Sequence, residues 1–90
     1  MANTSLPGGE LIEQGLSDLA DGSETVESLL VSIAAPRLRA LGYDVPVGFE
    51  DPDLRLYGML ADRYGDGAHS RYNALVRRIV SFQRAAACAR

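Results

Sequence analysis

The sequence predicts an all-α fold, a small bundle of four to five helices. Three observations carry that reading. Apolar residues recur at helical spacing in four segments, short glycine- and proline-containing connections separate them, and no second alternating segment exists for a strand to pair with. Ninety residues make one domain at most. Residues 1–90 therefore read as a single helical domain, with residues 1–7 flexible ahead of the breaker cluster Pro7-Gly8-Gly9.

The first helix follows that cluster. Leu11, Ile12, Leu16, Leu19 and Ala20 form its apolar face, Gly15 weakens it, and Gly22 is placed to end it in a left-handed cap. Ser23 is then the expected N-cap of the second helix, with Glu24 and Glu27 favouring the positive end of the helix dipole. Val26, Leu29, Leu30, Ile33, Ala34, Leu38 and Leu41 trace the strongest helical stripe in the chain. Pro36 lies inside it. A proline removes a backbone donor and clashes with the preceding turn, so a kink or split is expected there. Gly42 ends the segment.

Tyr43 to Asp51 reads as a loop, because Pro46, Gly48 and Pro52 exclude a long regular element. Asp51-Pro52-Asp53 marks a helix start, with aspartate as N-cap and proline in the first turn. Leu54, Tyr57, Leu60, Ala61 and Tyr64 are the expected inward stripe of that third helix, and Gly65-Asp66-Gly67 turns the chain. The last helix begins near Ala68 and buries Tyr72, Leu75, Val76, Ile79, Phe82 and Ala86.

The composition excludes several classes. With 47% hydrophobic and 23% charged residues the chain is not of the intrinsically disordered type. No stretch approaches the roughly 20 apolar residues of a membrane span, and no membrane association is expected. The start lacks a basic region followed by an apolar one, so no secretory signal is expected. The one cysteine, Cys88, cannot form an intrachain disulfide, which points to the cytoplasm. All nine basic residues are arginine, and alanine, glycine and leucine are abundant, a bias expected of a GC-rich bacterial genome.

Charge is segregated along the chain. Residues 1–36 hold Glu10, Glu13, Asp18, Asp21, Glu24 and Glu27 and no basic residue, whereas residues 67–90 hold Arg71, Arg77, Arg78, Arg84 and Arg90 and no acidic one. The sum over the chain is −3, a weak starting point for nucleic-acid binding.

Catalytic chemistry finds no foothold. His69 is the only histidine, which rules out a multi-histidine metal site within one chain. Cys88 stands two residues from Arg90, a poor place to hold a nucleophile against a base. Ser70 is adjacent to His69, and neighbours on a helix point apart. Gly8-Gly9 has neither P-loop nor Rossmann spacing. The carboxylate pairs Glu10/Glu13 and Glu24/Glu27 read as solvated first-turn charges. The expectation is no enzyme, no cofactor and no metal.

The arginine-rich last helix is the sharpest feature. Arg71, Arg77, Arg78 and Arg84, with Asn73, Ser81 and Gln83, are expected to form a basic ridge. Tyr43 and Phe49, apolar residues of the loop, are the expected anchors beside it. Acidic first and second helices would lie against the basic fourth, within one chain or across a homodimer. The sequence thus points to a small helical protein-interaction module, an adaptor or regulator that binds a protein partner or itself. The alternative is a nucleic-acid-binding regulator using the last helix.

Overall fold

The structure, a computed structural model, describes residues 6–89 and is all-α, with no strand among the described residues. Helix α1 spans Gly9–Ala20, α2 Val26–Ala40, α3 Pro52–Tyr64 and α4 Ala68–Ala89. A 3-10 turn, Gly65–Gly67, joins α3 to α4 with no non-helical residue between them. Three helical bodies are therefore separated by coil, the third folding back on itself at the 3-10 turn. The expected count of four to five separate helices is not matched. The expected flexibility of residues 1–7 falls largely on 1–5, outside the described residues, whereas Leu6 packs against the core.

No fifth helix arises because α2 is not split at Pro36. It continues to Ala40 with the exposed proline inside it. Ala35 and Leu38, on either side of that proline, are buried in one core, which keeps the helix together across the missing backbone donor.

α2 is the central element. Ser28, Leu29, Leu30, Val31, Ser32, Ala34, Ala35 and Leu38 are all buried, so its middle is enclosed by α1, α3 and α4 together. The two serines tolerate this because their hydroxyls find partners nearby. Ser28 Oγ donates to the Thr25 carbonyl at 3.1 Å, and Ser32 Oγ donates to the Ser28 carbonyl at 2.9 Å. Gly15 explains how α1 approaches so closely, since a Cβ there would collide with the Glu27 carbonyl oxygen and Val31 Cγ2.

Both turns that end α1 and α2 are Schellman motifs. Ser23 N–H bonds the Asp18 carbonyl and Gly22 N–H the Leu19 carbonyl, while Tyr43 and Gly42 do the same to Leu38 and Arg39. Because Ser23 is used in closing α1, α2 starts later than expected. Thr25, not Ser23, is its N-cap, and Thr25 and Ser28 form a reciprocal capping box.

α3 departs from the sequence reading at two points. Asp51 precedes Pro52 as expected, but it adopts a left-handed conformation (φ 46°) and its side chain makes no cap hydrogen bond. The buried face is Leu56 and Leu60, with Met59 partly buried, whereas Leu54, Tyr57, Ala61 and Tyr64 are exposed. Of the expected stripe Leu60 alone is buried, and the core takes the neighbouring face through Leu56 and Met59, which was not expected. The expected face of α4 holds, with Ile79, Phe82 and Ala86 buried and Tyr72, Leu75 and Val76 half-buried.

Candidate functional site

Geometry divides the expected basic ridge. Arg71 and Arg78 are seven residues apart and share one line along α4, as do Arg77 and Arg84, and the two lines lie about 120° apart around the helix. All four arginines are exposed. The Arg71 guanidinium sits over the Tyr64 ring, 4.3 Å from its centroid.

The acidic first half does not neutralise these cations. Among the described residues the one ion pair joins Arg55 Nη1 to Glu24 Oε1 at 3.1 Å, linking α3 to the segment before α2. No carboxylate lies within ion-pair distance of Arg71, Arg77, Arg78 or Arg84 among the described residues.

The expected loop anchors are occupied inside the chain. Tyr43 and Phe49 are half-buried and pack against the core, and Tyr43 lies 5.7 Å from the Phe82 ring, centroid to centroid. The loop is pinned to α2 by Arg39, whose Nη2 donates to the carbonyls of Val45 at 3.1 Å and Pro46 at 3.0 Å. Val45 is buried as a result, while Val47 points outward at 89% exposure.

A concavity lies elsewhere, between the C-terminal half of α2 and the second half of α4. It is an open groove of about 920 Å³. Leu30, Ile33, Ala34 and Leu41 line it from α2 and the residue after it, and Val76, Ile79, Val80 and Ala87 line it from α4. Arg37 of α2 and Arg84 of α4 are its charged lining residues, Gln83 adds an amide, and no carboxylate lines it.

α3 has 13 residues and α4 has 22, about 20 Å against about 33 Å at 1.5 Å per residue. α3 lies along the first part of α4, where Tyr57 meets His69 and Tyr72 at ring-centroid distances of 6.5 and 5.7 Å. His69, Tyr72, Val76, Gln83 and Ala87 fall on one stripe of α4 at steps of three, four, seven and four. α3 meets the start of this stripe at His69 and Tyr72, and the groove is lined by its continuation, Val76, Gln83 and Ala87.

Of the six residues singled out from the sequence, Arg84 alone lines the groove. Arg37 and Val80 were missed as site residues, although Arg37 sits one turn before the end of a strongly apolar helix. His69 is exposed, with Asn73 Nδ2 3.2 Å from its Nε2. Cys88 is exposed. Among the described residues no group of three or more histidine, cysteine or acidic side chains is placed to hold a metal ion, and no helix is long and apolar enough to cross a membrane.

Compared with protein-family models, curated proteins and solved structures, the chain matches none of them.

Proposed function

We propose that this chain is a non-enzymatic protein-interaction module whose α2–α4 groove receives an apolar, carboxylate-bearing helix of a protein partner. The observation that carries this reading is the groove itself, apolar along both walls and edged by Arg37 and Arg84 with no carboxylate in its lining. A helix laid into an apolar groove is a recurring mode of peptide recognition, with anchors at steps of three and four. The stretch of α4 from Val76 to Ala87 offers about 17 Å of wall, room for three helical turns. Charges at the edge then select acidic over basic helices and set their direction. A cytoplasmic setting in a GC-rich bacterium belongs to the same reading.

The test is an NMR titration with a designed 14-residue helix carrying leucines on one face and glutamates on the flanks. The amides of Val76, Val80, Ala87 and Ala40 are expected to shift. Arg37→Glu with Arg84→Glu should weaken binding about tenfold or more, equivalent to about 1.4 kcal/mol. A lysine-flanked version of the helix should bind less well. Unmoved groove amides at millimolar peptide would refute the reading.

A second reading, nucleic-acid binding through α4, is favoured by the exposed arginines that carry no carboxylate partner among the described residues. Since they form two lines, one phosphate path meets two of them, and log K against log salt should have a slope of about −2. Anisotropy titration of a labelled duplex checks this. Absent or salt-independent binding would exclude it.

A further inference from the structure

We infer that the Gly65–Gly67 turn is a hinge at which α3 and α4 straighten into one helix, so that two copies exchange α4 and build each groove from α2 of one copy and α4 of the other. Arg37 of one copy and Arg84 of the second copy then edge the same groove. The inference goes beyond the docking reading and holds whatever the groove receives.

Helical hydrogen bonding runs almost unbroken through the turn. Gly65 N–H bonds the Ala61 carbonyl, as in an α-helix, and Ala68 N–H bonds the Gly65 carbonyl. What reverses the chain is the backbone of Gly65 (φ 54°, ψ −119°), a conformation open essentially to glycine alone. A Cβ there would meet nothing within 4 Å, so the dihedral angles and not crowding call for glycine. Glycine also weakens a straight helix, which keeps the bent and straight forms in balance. Short connections under such a constraint are where elements pass between copies.

The apolar phase of the sequence continues through the turn. The inner face of α4 runs Ala68, Tyr72, Leu75, Ile79 and Phe82 at steps of three and four. Continued backward at the same steps, it meets Tyr64, Ala61, Tyr57 and Leu54. In one straight helix all nine fall within about 80° of the circumference. The bent chain makes little use of that phase, because α3 is buried through Leu56 and Leu60 while Leu54 and Ala61 are exposed.

α4 is suited to exchange. After Ala68 none of its residues is buried until Ile79. The half next to the hinge is held to α3 by rings, Tyr57 against His69 and Tyr72, and by Arg71 over Tyr64. The deeper anchors lie farther along, with Phe82 beside Gly8 and Tyr43. In the exchanged dimer α4 of the second copy makes all of these contacts, so none is forfeited. The Tyr57–Tyr72 pairing also sets the register of the two straight helices. Antiparallel, with Tyr57 of one opposite Tyr72 of the other, they bring Ala61 opposite Ala68 and Gly65 opposite Tyr64 where they cross. Small residues at that place let the backbones approach, and Ala61, exposed in the single chain, is covered.

The experiment uses the full chain, unfolded in urea and refolded from micromolar to millimolar concentration so that exchange reaches equilibrium. Light scattering gives the mass. Spin labels on the exposed Cys88 and on Asp53→Cys, refolded in excess unlabelled protein, give the distance within one chain. The bent chain is 38 Å along its longest axis, whereas one straight helix separates residues 53 and 88 by about 52 Å. The unaltered chain should become dimeric as concentration rises, and the long distance should appear with the dimer. Gly65→Ala fits a straight helix but not the turn, and should dimerise at least about tenfold more tightly, with circular dichroism reporting the fold. A Gly-Ser-Gly-Ser insertion after Asp66 interrupts the straight helix and relaxes the turn, and should leave a monomer. An unaltered chain that stays monomeric at millimolar concentration would overturn the inference, as would a folded Gly65→Ala chain that dimerises no more tightly. A dimer whose 53–88 distance stays short would overturn it too, because the copies then meet through other surfaces. The distance in the unaltered chain decides alone if Gly65→Ala does not fold.

Discussion

The backbone N–H of Phe49 donates to Ser32 Oγ across 3.2 Å, seventeen residues away in sequence, while the same hydroxyl donates to the Ser28 carbonyl at 2.9 Å. One buried side chain thus ties the 43–51 loop to the central helix. Gly48 lies so close that a Cβ on it would be 2.9 Å from Ser32 Oγ. Ser32→Ala leaves the Phe49 N–H without its partner in a half-buried place. The expected cost is about 1–2 kcal/mol, read as a lower urea midpoint at unchanged m.

Thr25 does two jobs at the start of α2. Its Oγ1 accepts from Ser28 N–H at 3.1 Å and donates to Asp18 Oδ2 at 2.7 Å, so it caps α2 and ties it to α1. Thr25→Ala should cost about 1–2 kcal/mol. Ser23→Ala, at the N-cap position expected from the sequence, should change stability by less than about 0.5 kcal/mol in the same chemical unfolding experiment.

Two glycines inside helices should respond with opposite sign. Gly15→Ala places a Cβ against the Glu27 carbonyl, a backbone atom that cannot swing aside, and should destabilise by about 1–3 kcal/mol. Gly58→Ala meets open space and should stabilise the isolated monomer by up to about 1 kcal/mol. Thermal unfolding of the two variants at low concentration compares them directly.

The Glu24–Arg55 pair is well formed at 3.1 Å, yet its side chains are 39% and 44% exposed. Solvent screens such a pair and its ordering costs side-chain entropy. Glu24→Gln should therefore shift stability by less than about 1 kcal/mol, and raising the salt should shrink the difference further. A double-mutant cycle with Arg55→Ala measures it.

The sequence made the all-α class legible, along with the face of α4 and that of α1 apart from Ala20, which is exposed at the helix end. On α3, the expected stripe Leu54-Tyr57-Leu60-Ala61-Tyr64 and the face Leu56-Met59-Leu60 are both at helical spacing and share Leu60, and only contact with α2 and α4 decides between them. Ser28 and Ser32 hid the full burial of α2, because serines that return their hydroxyls to helix or loop backbone are polar in the sequence and satisfied in the core. Clustered arginines in α4 were visible, but their division into two lines follows from a seven-residue spacing that a charge count does not register. The groove was illegible for a different reason. It is lined by residues of two helices far apart in the sequence, α2 and α4, whose pairing no local spacing encodes.

The most direct measurement fills the groove from within. Ala87 lines it and is exposed, so Ala87→Trp should place an indole across one end without displacing buried atoms. The affinity of this variant for the designed acidic helix is measured beside that of the unaltered chain, with urea unfolding as the control. The account expects a chain at least as stable as the original that no longer binds the helix. Undiminished binding by the folded Ala87→Trp chain would contradict it.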